Sequence, residues 1–483
     1  RDVAPSRGLG DVYKRQIPGA NVFWMNTTNG VTTNEDGNFS IHKPARSHML
    51  VVSFIGFEND TIHVDKGNQQ LDIVLREGVE LSEVNVVTRK LGTMKLRTSV
   101  MNEDMISSAE LTRAACCNLG ESFVTNPSVD VSYSDAATGA KQIKLLGLSG
   151  TYVQMMTENI PNFRGAAAPY GLGYVPGPWM QSIQVSKGSS SVKNGYESIT
   201  GQINVEFKKP QLPEADWVSA NLFASSTNRY EANADATVKL SKRWSTSLLA
   251  HYENETKSHD SNDDGFVDIP RVEQYNVWNR WAYMGDHYVF QAGIKALHET
   301  RNSGQIAHRN TPSHDLYEIG IKTNRYEAFT KNAYIFDKEK NTNLALILQG
   351  TLHNQDANYG RKLYDVDQSN FYASLLFETE LSKQHSLSAG LSFNYDGYDQ
   401  NYRLTNQAEE GLTKKFVKES VPGAYVQYTF NLNDQLMLMG GIRGDYSSEY
   451  GFFVTPRAHV KYNPNEYLHF RLSAGKGLSL IHI

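Results

Sequence analysis

From about Trp217 onward, apolar and polar residues alternate one for one. Leu387, Ala389, Leu391, Phe393 and Tyr395 mark one such run; Val426, Tyr428, Phe430 and Leu432 mark another; Leu468, Phe470, Leu472 and Ala474 a third. A period of two puts each set on one face of a strand. The spacers between runs alternate in length. Short ones ("LSKR", "GDH", "LSKQH", "LNDQ", "NPNE") take turns with long ones at 254–268, 301–316, 354–369 and 396–420. About 13 strands of roughly ten residues, with aromatic ends, short turns on one side and long loops on the other, predict an antiparallel membrane-spanning barrel. A soluble sandwich would show shorter strands and no such asymmetry.

The first half reads differently. Residues 17–76 form short β-prone pieces, "GANVFW", "FSI", "MLVVSFIGF" and "LDIVL", with a hairpin signal at Asp36-Gly37 and a bulge signal at Gly56. This predicts a small β-sandwich without an active site. A polar connector carries one β-prone strip, "ELSEVNVVTRK". Beyond it Leu111, Ala115, Leu119 and Phe123 lie four apart, one face of a helix over 108–123, capped by Ser107 or Ser108 and ended by Asn126-Pro127. Two strands around a glycine turn follow in "IKLLGLSGTYVQMMTENIP".

Composition narrows the class. The 483 residues carry a formal charge of -5, which disfavours nucleic-acid binding. Mean hydropathy is -0.48, and no apolar run approaches the ~18 residues of a membrane helix. A barrel escapes that test, because lipid-facing and lumen-facing residues dilute each other. Two adjacent cysteines, Cys116 and Cys117, exclude a disulfide framework and a four-ligand zinc site. Arg1–Gln16 has neither the apolar core nor the cleavage site of a signal peptide; it and Leu478–Ile483 are set aside as non-native in character.

One stretch, "IQVSKGSSSVKNGYESITGQINVEFKKP", invites a phosphate-loop reading through its glycines, serines and lysines. A Walker loop, however, needs Lys and Ser/Thr directly after its last glycine and then a helix. Here Lys187 precedes its glycine and a strand follows. The stretch instead resembles the close of the plug domain of TonB-dependent outer-membrane receptors: Ile183, Val185, Lys187, Gly188, Ser191, Gly195, Gly201, Ile203 and Asn204 stand in matching places. An earlier signature of that family ends in Arg-Gly, and here reads "IKLLGLSG", with Leu146 in place of the arginine. The N-terminal unit resembles the carboxypeptidase-regulatory-like domain.

The resemblance implies a mostly β chain: a sandwich at 17–76, a TonB-box and α+β plug at 83–210, and part of a barrel at 211–477. Large transporter barrels have about 22 strands around a plugged lumen. The expectation is therefore an open half-barrel with further strands beyond Gly477. Active transport of a scarce solute, a metal chelate (siderophore or vitamin B12-like) or a metal ion, is the implied function. The partners are then the TonB energy-transducing complex, the solute and outer-membrane lipid. The alternative is a passive surface-binding or adhesion barrel. No Ser-His-Asp, paired-carboxylate or HExxH constellation stands in an enzyme-like context.

Within that frame, Glu83, Val84, Asn85, Val86, Val87 and Thr88 resemble a TonB box, which would engage its partner by strand addition; an ordinary linker strand is the bland reading. Cys116, Cys117, Met155 and Met156 offer sulfur for a soft metal, against their commoner role as core fillers. His298, His308 and His314 gather around one expected loop. No cofactor is required. The candidate ion is calcium at "DSNDDGFVD", where Asp260, Asn262, Asp264, the Phe266 carbonyl and Asp268 take positions one, three, five, seven and nine of a calcium loop, with Gly265 at six. Position twelve is Arg271 where a bidentate Glu belongs, so an acidic turn held by its own backbone is the competing reading.

Overall fold

The computed structural model describes 99–479 apart from 114–116, 125, 127, 211–216, 307–315, 406–410, 433–434 and 466–467. Before residue 99 it describes 3–5, 9–11, 20–25, 30–34, 37–42, 48–53, 60–64, 71, 73–75 and 93–95. The chain divides into two compact units, Arg1–Lys90 and Leu91–Ile483.

In the first unit a four-stranded sheet runs in the order Gly30–Thr32, Asn21–Trp24, Met49–Ser53, Asp60–His63. Two short ribbons accompany it: Val3–Pro5 pairs with Ser40–His42, and Leu9–Asp11 runs parallel to Ile73–Leu75. Residues set aside as foreign by their composition thus supply two strands. The alternation of "NVFW" buries Val22 and Trp24 beside Leu50, Val52 and Ile41. At the Asp36-Gly37 turn Asn34 N–H donates to Asn38 O at 2.9 Å and Gly37 takes φ +67°. Among the described residues the strands on either side, Gly30–Thr32 and Ser40–His42, pair with other partners and not with each other, so the expected hairpin is not seen there.

The second unit holds the plug and the barrel wall. The plug sheet runs in the order Ile160–Pro161, Val153–Thr157, Gly201–Phe207, Met180–Lys187, Asn102–Ser107, Thr93–Lys95, with Val153–Thr157 parallel to Gly201–Phe207. A separate hairpin pairs Val129–Asp135 with Ala140–Leu145. The helix expected over 108–123 is shorter: it spans Ser108–Arg113, and a 3₁₀ turn at Leu119–Glu121 follows. Asn118 is the cause. Its backbone is extended (φ -146°) and its side chain caps Glu121 N–H, so the polar residue favours a cap over helix interior. Leu111, Leu119 and Phe123 are buried as their spacing predicted.

The wall is one antiparallel sheet whose main path has thirteen strands, from Trp217–Ala224 to Leu468–Gly475, with Gly451–Val454 paired beside the path. Among the described residues the first and last strands pair on one side only, so the sheet is an open, partial barrel. Several strands far exceed ten residues, Lys362–Ser382 having 21. The loops expected at 354–369 and 396–420 are largely ladder: Tyr359 pairs with Lys362 across a tight turn, and Arg403 still pairs with Leu363. Beyond the apolar band the outward residues are polar like the inward ones, Asn354 and Asp356 against Gln355, so side-chain alternation fades while the backbone ladder continues. That is why the sequence reads these extensions as loops.

Outward positions are apolar and exposed, as in Leu222, Ile294, Leu391 and Leu472. At the short-turn end aromatic rings cluster: Trp244 lies 5.1 Å from Tyr283 and 6.0 Å from Phe290. Inward positions of the same strands are polar, and the plug fills them. One apolar core spans both parts, joining Trp179, Ile203 and Phe207 of the plug to Trp278, Leu297 and Ile319 of the wall.

Gly201 shows how tightly the plug strand is laid. A Cβ there would stand 2.2 Å from both Leu145 Cδ2 and Ser186 O. Gly201→Ala is expected to cost about 1–3 kcal/mol through overpacking. Protease sensitivity of the plug in membrane-embedded protein measures it, and wild-type resistance would show that the strand yields.

Candidate functional site: the plug and the barrel lumen

The glycine- and lysine-rich stretch faces the wall. Lys187 is paired with Asp104 of the neighbouring plug strand at 2.7 Å. Gly188 and Gly195 take φ of +82° and +104°, conformations that favour glycine. Between them Ser191 caps a 3₁₀ turn, accepting from Lys193 N–H at 3.2 Å and donating to Gln427 Oε1 of the wall at 2.6 Å. Lys193 reaches Glu378 at 2.8 Å. Arg457 donates to the carbonyls of Ser190 and Ser191 at 3.2 and 3.0 Å. Ile203 is fully buried, and Asn204 ties strands together: its Oδ1 accepts from Asn159 N–H at 2.7 Å, its Nδ2 donates to Glu206 at 2.7 Å.

The same arrangement recurs around the lumen, with wall side chains donating to plug carbonyls. Arg280 serves Lys208 O (2.7 Å), Lys295 and Asn276 share Tyr174 O (3.1 and 3.0 Å), and Arg301 serves Thr138 O (3.1 Å). The tip at Glu158-Asn159 is held by both backbone and charge. Both residues have positive φ (51° and 63°), and Glu158 is almost fully buried. Its carboxylate meets Arg280 at 2.5 Å and Lys331 at 3.6 Å, and Lys331 also donates to its carbonyl at 2.7 Å. Arg280 in turn stacks on Trp278, 4.5 Å from the ring centroid. Burial pushes the Glu158 carboxyl up, but the combined pull of Arg280 and Lys331 outweighs it and holds the group below the ordinary carboxylate value.

Two sizeable cavities lie against the plug hairpin. One, of about 330 Å³, opens between Glu121, Lys141 and Tyr170 of the plug and Arg229, Glu253 and Gln274 of the wall. It sits at the end of the wall that carries the long loops. The other, of about 360 Å³, is lined by Gln154, Met155, Arg164, Glu197 and Tyr398. There Arg164 bridges Glu197 (2.7 Å) and Asp396 (3.1 Å). Lys141 borders both cavities.

A plug seated inside an antiparallel wall is also what known proteins of similar sequence present. The TonB-dependent receptor plug domain matches residues 95–202, the receptor-like β-barrel matches 349–480, and the CarboxypepD_reg-like domain matches 10–87. The chain belongs to the TonB-dependent receptors. It is an outer-membrane protein by the same evidence. Two curated relatives are TonB-dependent receptor SusC of Bacteroides thetaiotaomicron and TonB-dependent receptor P26 of Formosa agariphila. Each is 25% identical, over 46% and 43% of this chain respectively. The chain spans only 23% and 21% of their lengths. Solved structures share the fold at low identity. The siderophore receptor PirA of Acinetobacter baumannii aligns with TM-score 0.64 and 14% identity, covering 80% of this chain and 62% of that one. The copper transporter OprC aligns with TM-score 0.63 and 13% identity, covering 78% and 62%.

The receptor distributes the sequence candidates unevenly. The strip Glu83–Thr88, Cys116, His308 and His314 lie outside the described residues. Cys117 is buried on the 330 Å³ cavity, where burial and the neighbouring Glu231 push its thiol well above the usual range. Met155 lines the other cavity, and Met156, the next residue along the strand, is fully buried. The described sulfurs of Cys117, Met155 and Met156 are not brought to one place. His298 belongs to the strand Tyr288–Gly304, not to a loop, and its ring bonds Asn324 Oδ1 at 2.7 Å on the outward face. In the loop at 260–268 the acidic oxygens accept from the loop's own backbone. Asp260 takes the N–H groups of Asp264 (3.1 Å) and Gly265 (2.9 Å), Asp264 that of Phe266 (2.8 Å), and Asp268 that of Ser261 (2.7 Å). Leu146, at the signature position, sits exposed with φ +55°.

Sequence reading missed Glu158 and its wall partners. The alternation of "VEQYNVWNRWAYM" does mark Gln274, Asn276 and Arg280 as facing away from the apolar side. Nothing local says which plug residue they meet more than a hundred positions earlier.

Removing one member of a buried ion pair strands the other, at about 3–5 kcal/mol. Glu158→Gln should therefore loosen the hairpin Val153–Pro161, read as faster amide hydrogen exchange there. Glu158→Gln with Arg280→Met should lose less than the single change. Because the folded carboxyl value lies below 4.5, this contribution is intact above the ordinary carboxylate range and disappears as pH falls through the lower folded value. Protection of the hairpin, taken relative to the intrinsic exchange rate at each pH, that does not fall when the carboxyl is protonated in acid would rule it out.

Proposed function

We propose that the receptor imports a scarce solute across the outer membrane, using energy delivered through TonB, and that the solute is a metal chelate or a metal ion. The observation that carries this reading is the seated plug. Its carbonyls and carboxylates are held by wall cations, with a charged cavity above it at the loop end. A passive adhesin has no use for a removable obstruction in its lumen. A metal-linked solute is supported by the fold neighbours, two of which are a siderophore receptor and a copper transporter. The strip Glu83–Thr88 lies just ahead of the plug, where an added strand from the transducer would pull on it.

Val86→Pro removes a backbone donor from that strand and fixes φ. In the full-length gene it should abolish accumulation of metal chelate while surface binding is kept. Normal accumulation would return Glu83–Thr88 to an ordinary linker.

Calcium at Asp260–Asp268 belongs to the same reading as an ordering ion for an external loop. Its affinity would fall in the weak range of roughly 10⁻⁴–10⁻³ M typical of extracellular modules. The oxygens it would take now hold backbone N–H groups, so binding exchanges one set of contacts for another. Calcium should protect the loop from protease in the wild type and not in an Asp260→Ala, Asp264→Ala variant. Identical nicking with and without calcium would leave only the self-bonded turn.

A further inference from the structure

The cavity of about 360 Å³ beside the plug hairpin is lined mainly by apolar surface, with Met155, Phe163, Leu172 and Tyr398 among its walls. Pockets that hold small molecules run from about 300 to 1,000 Å³ and combine an apolar lining with a few polar groups. Three charged side chains border this one: Lys141, Arg164 and Glu197. Two of them are engaged with each other. Arg164 holds Glu197 at 2.7 Å and also meets Asp396 of the wall at 3.1 Å.

Lys141 is differently placed. It stands on the hairpin strand Ala140–Leu145 directly opposite Tyr133, with its ammonium 5.5 Å from the centre of that ring. Its carboxylate neighbour, Glu121 Oε1, is 3.9 Å away, too far for a hydrogen bond. That oxygen already accepts from Arg229 at 2.9 Å and from Asn118 Nδ2 at 3.2 Å, while Glu121 Oε2 accepts from Cys117 N–H at 3.2 Å. Among the described residues no acceptor lies within hydrogen-bond distance of the Lys141 ammonium. It can still be reached: the side chain keeps 24% of its surface accessible, and the ammonium is not one of the enclosed polar atoms. Burial pushes it below the ordinary lysine value, and Glu121 does not make up the difference. A cation with three donors thus stands at the rim of an apolar pocket with none of them satisfied by the protein.

We infer that the 360 Å³ cavity binds the solute through an anionic oxygen group, a carboxylate on an apolar body, with Lys141 as its counter-ion. The inference rests on the reading of the receptor as an importer and adds the charge of what it imports. A charge-assisted hydrogen bond supplies the acceptor that Lys141 lacks, and the apolar walls take the rest of the molecule out of water. Lys141 also borders the cavity of about 330 Å³, but four glutamates against three cations line that one. A carboxylate is therefore favoured on the apolar side.

The experiment uses full-length receptor in detergent and three probes: a ferric trihydroxamate with a terminal carboxylate, its methyl ester, and phenylbutyrate, an apolar carboxylate without metal. The acid chelate should bind about tenfold more tightly than the ester, the scale of a hydrogen bond to a charged group. Lys141→Gln should bring the two chelates to equal affinity, and Lys141→Arg should keep the preference, which a merely structural role for the side chain would not require. Equal binding of acid and ester by the wild type, a preference that Lys141→Gln leaves intact, or no binding of any probe overturns the inference. Phenylbutyrate bound in a Lys141-dependent way, with both chelates rejected, keeps the pocket and sinks the metal-chelate reading instead.

Discussion

A globular plug inside a barrel has to find a hydrogen-bond partner for each carbonyl it turns toward the wall, in a space where water is scarce. In this receptor the wall provides those partners as long polar side chains. Arg280, Lys295, Arg301, Lys331 and Arg457 each donate to a plug carbonyl. Their charge also fixes where the plug's carboxylates go: Glu158 lies against Arg280, and Glu121 against Arg229. The plug's position, the shape of the cavities left beside it and the charge lining them all follow from this set of contacts.

Such contacts hold a body firmly without making its removal prohibitive. A buried ion pair contributes little net stability over well-packed apolar residues, yet is costly to break from one side only. Parting plug and wall as units lets water reach both partners together. The shared apolar core, with Phe207 against Trp278 at 4.6 Å, opposes that parting. The positive-φ pair Glu158-Asn159 makes the turn between two strands of the plug sheet and meets the wall there. The proposed import, in which the plug yields to a pull from the transducer, would draw on this mixture.

The surface of the wall obeys a separate rule. Outward residues answer only to lipid, so they are apolar between rows of aromatic rings. Above the band the lipid constraint ends, and the strands run on as polar ladders toward the loops. Asp260–Asp268 lies in that outer region, ordered by its own side-chain-to-backbone bonds.

Much of this was legible in the residues. The period of two gave the wall and its strand number, because lipid on one side and polar lumen on the other impose opposite demands on neighbouring positions. Glycines at 188, 195 and 201 and the strands around them marked the closing piece of the plug, because close backbone approach admits no side chain. Other features lay beyond it. The helix at 108–123 broke at Asn118, whose cap competes with a helical period; polar ladders were read as loops once alternation faded; and the sulfurs of Cys117, Met155 and Met156, near in type, went to separate places. Glu158 and Arg280 are 122 positions apart, and Gln274 donates to Gly173 O across 101 positions. Local sequence determines which face of a strand a side chain takes, since that is set by backbone geometry; which partner it meets across the lumen is decided by how the plug sits in the wall, and only the tertiary structure contains that.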